Sequence, residues 1–173
     1  VLGGTLSITA DSELTVSQGY TLTLSQSGGL ALGANTLTLS GGGSLVSGGL
    51  TLNNANSKLL LNSITVDSVS TTIENSLGLD VDNNSTITAL SVGHITPVSI
   101  AAGKSLSGAI TVSAGSIKLD EAGTLSSTIA MSGGTIDADE SLTLSGALTQ
   151  SGDITVDVAD NKTLTYSGSA ISV

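Results

Sequence analysis

The strongest constraint on this chain is a short alternation that keeps returning. Apolar residues alternate with small polar ones over a few positions at a time. Examples are Leu22-Thr23-Leu24, Leu37-Thr38-Leu39, Leu50-Thr51-Leu52, Ile64-Thr65-Val66, Ile110-Thr111-Val112 and Ile117-Lys118-Leu119. A period of two over so short a run is a strand with one buried face. Between the runs sit Gly, Asn, Asp and Ser, residues that tolerate tight turns and left-handed backbone. No window sustains a 3.6-residue period, so no helix is expected.

The runs themselves repeat. Leu106, Ile110, Val112, Ile117 and Leu119 return 19 residues later as Leu125, Ile129, Met131, Ile136 and Ala138. Leu125 and Ile129 return again as Leu144 and Leu148, with Leu142 as a competing register. Reading backwards, Val98-Ile100 maps onto Leu79-Val81, and Leu106 onto Ile87. A turn signature precedes one strand of each unit, as in Ala34-Asn35-Thr36-Leu37, Ala55-Asn56-Ser57-Lys58-Leu59, Asn83-Asn84-Ser85-Thr86-Ile87 and Ala102-Gly103-Lys104-Ser105-Leu106. About eight units with steps near 19–23 residues follow, and the longer step from Leu59 to Ile87 reads as an insertion.

A unit of that length with about three short strands is one coil of a parallel β-solenoid, here expected as a right-handed β-helix over 1–173. One coil cannot bury its apolar side alone, so stacking builds the core. Composition agrees with a narrow interior. The chain holds 29 Ser, 23 Thr and 22 Gly, no Phe, Trp or Cys, and only Tyr20 and Tyr166 as aromatics. A β-sandwich is the competing fold, but it favours longer strands, core aromatics and no fixed coil period. The chain reads as one domain with a neutral, hydroxyl-rich half (1–66, with only Asp11, Glu13 and Lys58 charged) and an acidic half (67–173).

Charge and composition exclude several functions. A net charge of −10 without Arg speaks against nucleic acid and anionic membranes. The absence of Cys removes disulfides, thiolate zinc sites and Cys nucleophiles. No apolar run reaches the roughly 18 residues of a membrane span, and no signal-peptide pattern opens the chain. His94 is the lone histidine and reads as a turn residue before Pro97, while Gly41-Gly42-Gly43 reads as a corner. No catalytic, cofactor or metal residue is assigned, and the chain is expected not to be an enzyme.

Two side-chain groups invite function. Asp80/Asp82, Asp120/Glu121, Asp137/Asp139/Glu140 and Asp153/Asp157/Asp160 are expected at or near turns, as a solvated ridge offset by Lys104 and Lys162, with Ca²⁺ as the alternative. Thr-x-Thr pairs at Thr21/Thr23, Thr36/Thr38, Thr86/Thr88 and Thr163/Thr165 suggest an outward hydroxyl ladder, interrupted at Lys58-Leu60, Ser105-Ser107 and Thr124-Ser126. Such a ladder is either an ordinary exposed strand face or a binding surface, as for ice. Asn83, Asn84 and Asn161 begin Asn-x-Ser/Thr tripeptides, which are common by chance in this composition.

The period, with Ala122-Gly123-Thr124-Leu125 and Gly115-Ser116-Ile117-Lys118-Leu119, resembles the repeats of filamentous-haemagglutinin-type adhesins and, more broadly, the β-helical passengers of secreted bacterial surface proteins. That resemblance is clearest over 98–160. It implies an extracellular shaft used for adhesion or surface structure. The stretches Val1–Leu6 and Ser169–Val173 carry no helix, Pro or charge cluster, so the expected partners are further copies stacked end to end or flanking parts of a longer chain. A host or abiotic surface, or a lateral-face glycan, surface or ice ligand, is the alternative.

Overall fold

A computed structural model describes residues 6–26, 28–72, 76–169 and 171–172. The expected terminal stretches therefore fall partly outside it, at Val1–Thr5, Ala170 and Val173. The described chain is all β, without a helix, and every paired strand runs parallel to its neighbours in a β-solenoid. Three faces wind around one lumen. The first face stacks Ser12–Thr15, Thr36–Ser40, Lys58–Asn62, Gly78–Val81, Thr96–Ile100, Ser116–Leu119, Thr135–Ala138 and Thr155–Val158. The second face begins at Thr21–Thr23 and Ser44–Val46 and ends at Thr124–Leu125, Leu142–Leu144 and Leu164–Tyr166. The third includes Leu30–Ala31, Leu50–Leu52, Thr128–Met131, Leu148–Gln150 and Ile171–Ser172. Three long strands, Thr65–Thr71, Ser85–Val92 and Ser105–Val112, run round the corner from second face to third.

Eight strands on the first face bound seven complete turns. The ladder Ser12–Leu37–Leu59–Leu79–Val98–Leu119–Ala138–Val158 gives successive steps of 25, 22, 20, 19, 21, 19 and 20 residues. Only the first exceeds the expected range. The 19-residue repeat is realised as expected: Leu106 pairs with Leu125, Ile110 with Ile129, Ile117 with Ile136, and Leu125 with Leu144. Two expectations are corrected. Leu59 lies opposite Leu79 on the first face, so no insertion separates Leu59 from Ile87. Ile87 faces Gly108, and Leu106 stands over Ser85. The turn signature does not mark one face. It introduces first-face strands at Leu37 and Leu59 but second-face strands at Ile87, Leu106 and Leu125.

Inside, aliphatic side chains form columns one residue per coil. The third face carries Leu30–Leu50–Val69–Leu90–Ile110–Ile129–Leu148, all buried. Each such side chain contributes roughly 1.5–3 kcal/mol on burial. Neither tyrosine lies in the middle of the rod. Tyr20 sits in the first coil, 69 % exposed, and Tyr166 packs half-buried in the last. Corners are tied to the neighbouring coil by side chains. Asp67 accepts from Ser47 N (3.1 Å), Ser47 Oγ (3.0 Å) and Gly48 N (2.9 Å), and Asn83 Nδ2 donates to Asn62 Oδ1 at 2.8 Å. Gly108, with φ of 121°, is required where the backbone runs against the Ile87 carbonyl, because a Cβ there would collide with it.

The inside/outside assignment is directly testable. Leu125 is fully buried, whereas Thr38 points outward between Glu13 and Leu60. Leu125→Asp should cost at least about 4 kcal/mol, by removing a core side chain and burying an unpaired charge. Thr38→Asp should cost less than about 1 kcal/mol even beside Glu13. Urea denaturation of both variants checks this, and comparable losses would overturn the assignment.

Candidate functional site

The outward residues also stack in columns, and the three faces differ in chemistry. On the strands, charge belongs almost wholly to the first face: Glu13, Lys58, Asp80, Lys118, Asp137 and Asp157. Asp67 is the exception and serves the corner bonds described above. One outward column runs Lys58–Gly78–Pro97–Lys118–Asp137–Asp157, and its neighbour includes Asp80–Ser99–Asp120–Asp139. The carboxylates expected at turns therefore divide. Asp80, Asp137 and Asp157 stand on strands, and Asp82, Asp120, Glu121, Asp139, Glu140, Asp153 and Asp160 lie outside them.

Lysines relieve part of the repulsion; of the two expected to do so, Lys162 does and Lys104 does not. Lys58 bridges to Asp80 at 2.5 Å, Lys118 to Asp139 at 2.5 Å and Asp120 at 3.2 Å, and Lys162 to Glu140 at 2.6 Å. Lys104 forms no ion pair among the described residues. Hydrogen bonds to Asp139 and then Asp120 hold the Lys118 ammonium well above the usual lysine range. These pairs are a third or more exposed for the most part, so each is worth little on its own. Asp137 is left over. Partial burial first, then the charge of Asp139, with Asp157 and Asp120 adding, push its carboxyl above the ordinary value, and Lys118 acts against them.

The sign follows from that shift. Asp137 binds its proton more tightly folded than unfolded, so its charge costs stability above the raised value and the cost disappears as pH falls through it. Asp137→Asn should therefore raise the melting temperature at pH 7 and lose that advantage below pH 3, as a pair of thermal scans would show. Among the described residues no three His, Asp or Glu groups gather as a cation would need. The ridge should accordingly respond to Ca²⁺ only as to ionic strength. A Ca²⁺-specific rise in melting temperature, reversed by chelator, would contradict this.

The other two faces are hydroxyl-rich. On the second, Thr21–Ser44–Thr65–Thr86–Ser107 is one outward column by strand register. Ser126, Ser145 and Ser167 extend it, each amide bonded to the carbonyl one residue earlier in the coil before. Neighbouring hydroxyls touch, at 2.7 Å for Thr86–Ser107 and 3.3 Å for Ser145–Ser126. On the third, Ala31–Thr51–Ser70–Ser91–Thr111–Ala130–Thr149 is outward and uncharged. The expected Thr-x-Thr ladder is thus not one ladder. Thr36/Thr38 belong to the first face with Lys58-Leu60, whereas Thr21/Thr23, Thr86 and Thr165 belong to the second. Ser105-Ser107 and Thr124-Ser126 do not interrupt the second-face ladder but continue it, because Ser keeps the hydroxyl.

His94 lies in the bend before Thr96–Ile100 and lends its carbonyl to Thr96 Oγ1 at 3.1 Å. Gly41-Gly42-Gly43 forms a corner, with φ of 106° and 77° at the first two. Asn84 accepts from the Ser105 amide of the next coil at 3.0 Å, and Asn161 holds a φ of 62° in its turn. Among the described residues, no helix is long and apolar enough to cross a membrane. No family model, curated protein or solved structure matches the chain.

Proposed function

We propose that this chain is a non-enzymatic structural or adhesive element: a shaft segment, or a subunit stacked end to end, of an extracellular fibre at a bacterial cell surface. The observation that carries this reading is the strand ladder. Edge strands Ser12–Thr15 and Thr155–Val158 each pair on one side only among the described residues. In the last coil Val156 and Ile171 are 51 % and 58 % exposed, although their counterparts Ile136 and Leu148 are buried. An open parallel edge with apolar side chains is completed by one more coil. That coil belongs to another copy or to flanking chain. The repeat resemblance to adhesin shafts supports the same role and the extracellular setting.

The second reading is a lateral binding module. It is favoured by the two hydroxyl-rich columns, which leave two faces without repulsive charge and open to a glycan, a solid surface or ice. Electron microscopy of the purified chain separates the readings. The shaft reading expects unbranched fibres with a subunit rise of about 38 Å, from eight rungs at roughly 4.8 Å each. Monodisperse short rods at all salt and protein concentrations would favour the lateral module and count against self-stacking.

A further inference from the structure

The inward columns do not run straight through the rod. On the first face the buried pair is Leu37/Leu39, then Leu59/Leu61, then Leu79/Val81. In the next two coils it is Ile117/Leu119 and Ile136/Ala138, two residues further towards the strand start in register, and in the last coil the same two positions fall to the exposed Val156 and the partly buried Val158. The changeover strand Thr96–Ile100 buries three positions at once, Thr96, Val98 and Ile100. The second face makes the same shift. Leu22–Leu45–Val66–Ile87 is replaced by Leu106–Leu125–Leu144–Tyr166.

Both abandoned columns end on glycine: Ile87 faces Gly108, and Ile100 packs against the place where Gly123 would carry a Cβ. Hydroxyls fill the gaps. Ser85 interrupts the line between buried Ile64 and Leu106, accepting from Ile64 N at 3.3 Å and donating to Asn83 O at 2.9 Å. Thr71 interrupts the third-face line between Leu52 and Val92, and its Oγ1 lies 3.0 Å from that of Thr96. A bulge at the same level sets Thr88 and Ala89 against Ala109 alone. Pro97, the only proline, removes one amide donor here. The turn signature also changes face between Leu59 and Ile87.

We infer that the rod is two cooperative units spliced between its fourth and fifth coils by a polar seam of Thr71, Ser85 and Thr96, and that the C-terminal unit opens first. Solenoid stability is a sum of coil terms and nearest-neighbour interfaces, so a weakened interface divides it. The N-terminal unit is lined mainly by Leu. The C-terminal unit includes Ala138 in its core and carries Asp137, only partly shielded by Lys118, among the carboxylates of its surface. This inference is independent of what the rod attaches to.

Hydrogen exchange of the full chain, read by mass spectrometry through a denaturant series, tests it. Peptides within 116–144 should lose protection at lower denaturant than those within 36–66, with the change located in 85–112. Simultaneous loss, or a boundary elsewhere, would overturn the inference. The double variant T71V/T96V replaces the seam hydroxyls by methyls and should narrow the gap between the two transitions by half or more. An unchanged gap would show that the hydroxyls do not make the seam. Should that variant fail to fold, Leu59→Ala decides. It should speed exchange within 36–66 at least tenfold and within 116–144 less than twofold, and equal acceleration in both would refute two units.

Discussion

Along most of this rod an inward side chain stacks on its counterparts in the coil before and the coil after, about 4.8 Å away. That stacking is the interaction on which the rest depends. A single coil supplies only a handful of aliphatic side chains and no second layer to bury them. Contact along the axis is the sole source of a core, which is why the columns are so uniform: Leu30, Leu50, Val69, Leu90, Ile110, Ile129, Leu148. The same geometry excludes large rings. A three-sided lumen filled from every side by Leu and Ile has no room for Phe or Trp, and the chain has neither. Tyr20 and Tyr166 occur in the first and last described coils, the one exposed and the other only partly buried.

Parallel stacking imposes a cost outside the core. Any residue repeated at one position meets its own kind at strand spacing, which is harmless for Thr or Ser and repulsive for Asp. Apart from Asp67, the chain confines its strand charges to one face and interleaves lysine there. Lys118 sits between Asp120 and Asp139 and below Asp137, so one ammonium serves two carboxylates and partly shields a third. The hydroxyl columns on the other faces carry no such burden, and neighbouring hydroxyls can bond to one another along the axis. The outer surface is thus divided by the same rule that orders the interior: a column tolerates only what is compatible with its own repetition.

That rule also decides what could be read from the residues alone. The period of two and the 19-residue return identify strand, coil and inward residue between Leu106 and Leu148, because successive coils there are equal in length and phase. Between Leu59 and Ile87 the residues alone do not fix the phase. A turn signature marks a corner, and a three-sided coil has three corners. Nothing local tells Asn35-Thr36-Leu37 from Asn84-Ser85-Thr86, although one opens the first face and the other the second. Face membership needs the long-range register, so neither the concentration of charge on one face nor the continuous Ser/Thr column on another was legible. Lys118, flanked by Asp120 in sequence but bonded to Asp139 a coil away, is the clearest instance.

The loss of phase has a physical counterpart in the core. A two-residue slide of the buried pair preserves inward and outward alternation, since the strand period is two. It can therefore be inserted without turning any face inside out. What it cannot preserve is the column itself, which must end somewhere and restart somewhere else. Gly108 and Gly123 end columns because a residue without a side chain leaves nothing to collide, and Ser85 and Thr96 fill the gaps because a small hydroxyl can find a local acceptor. On the third face the column of Leu90 runs unbroken from Val69 to Ile110 while Thr71 interrupts the column beside it, so a single column bridges the splice. A rod built this way keeps a continuous hydrogen-bond ladder while its apolar contacts change partners, and a defect in packing is accommodated without a break in the backbone.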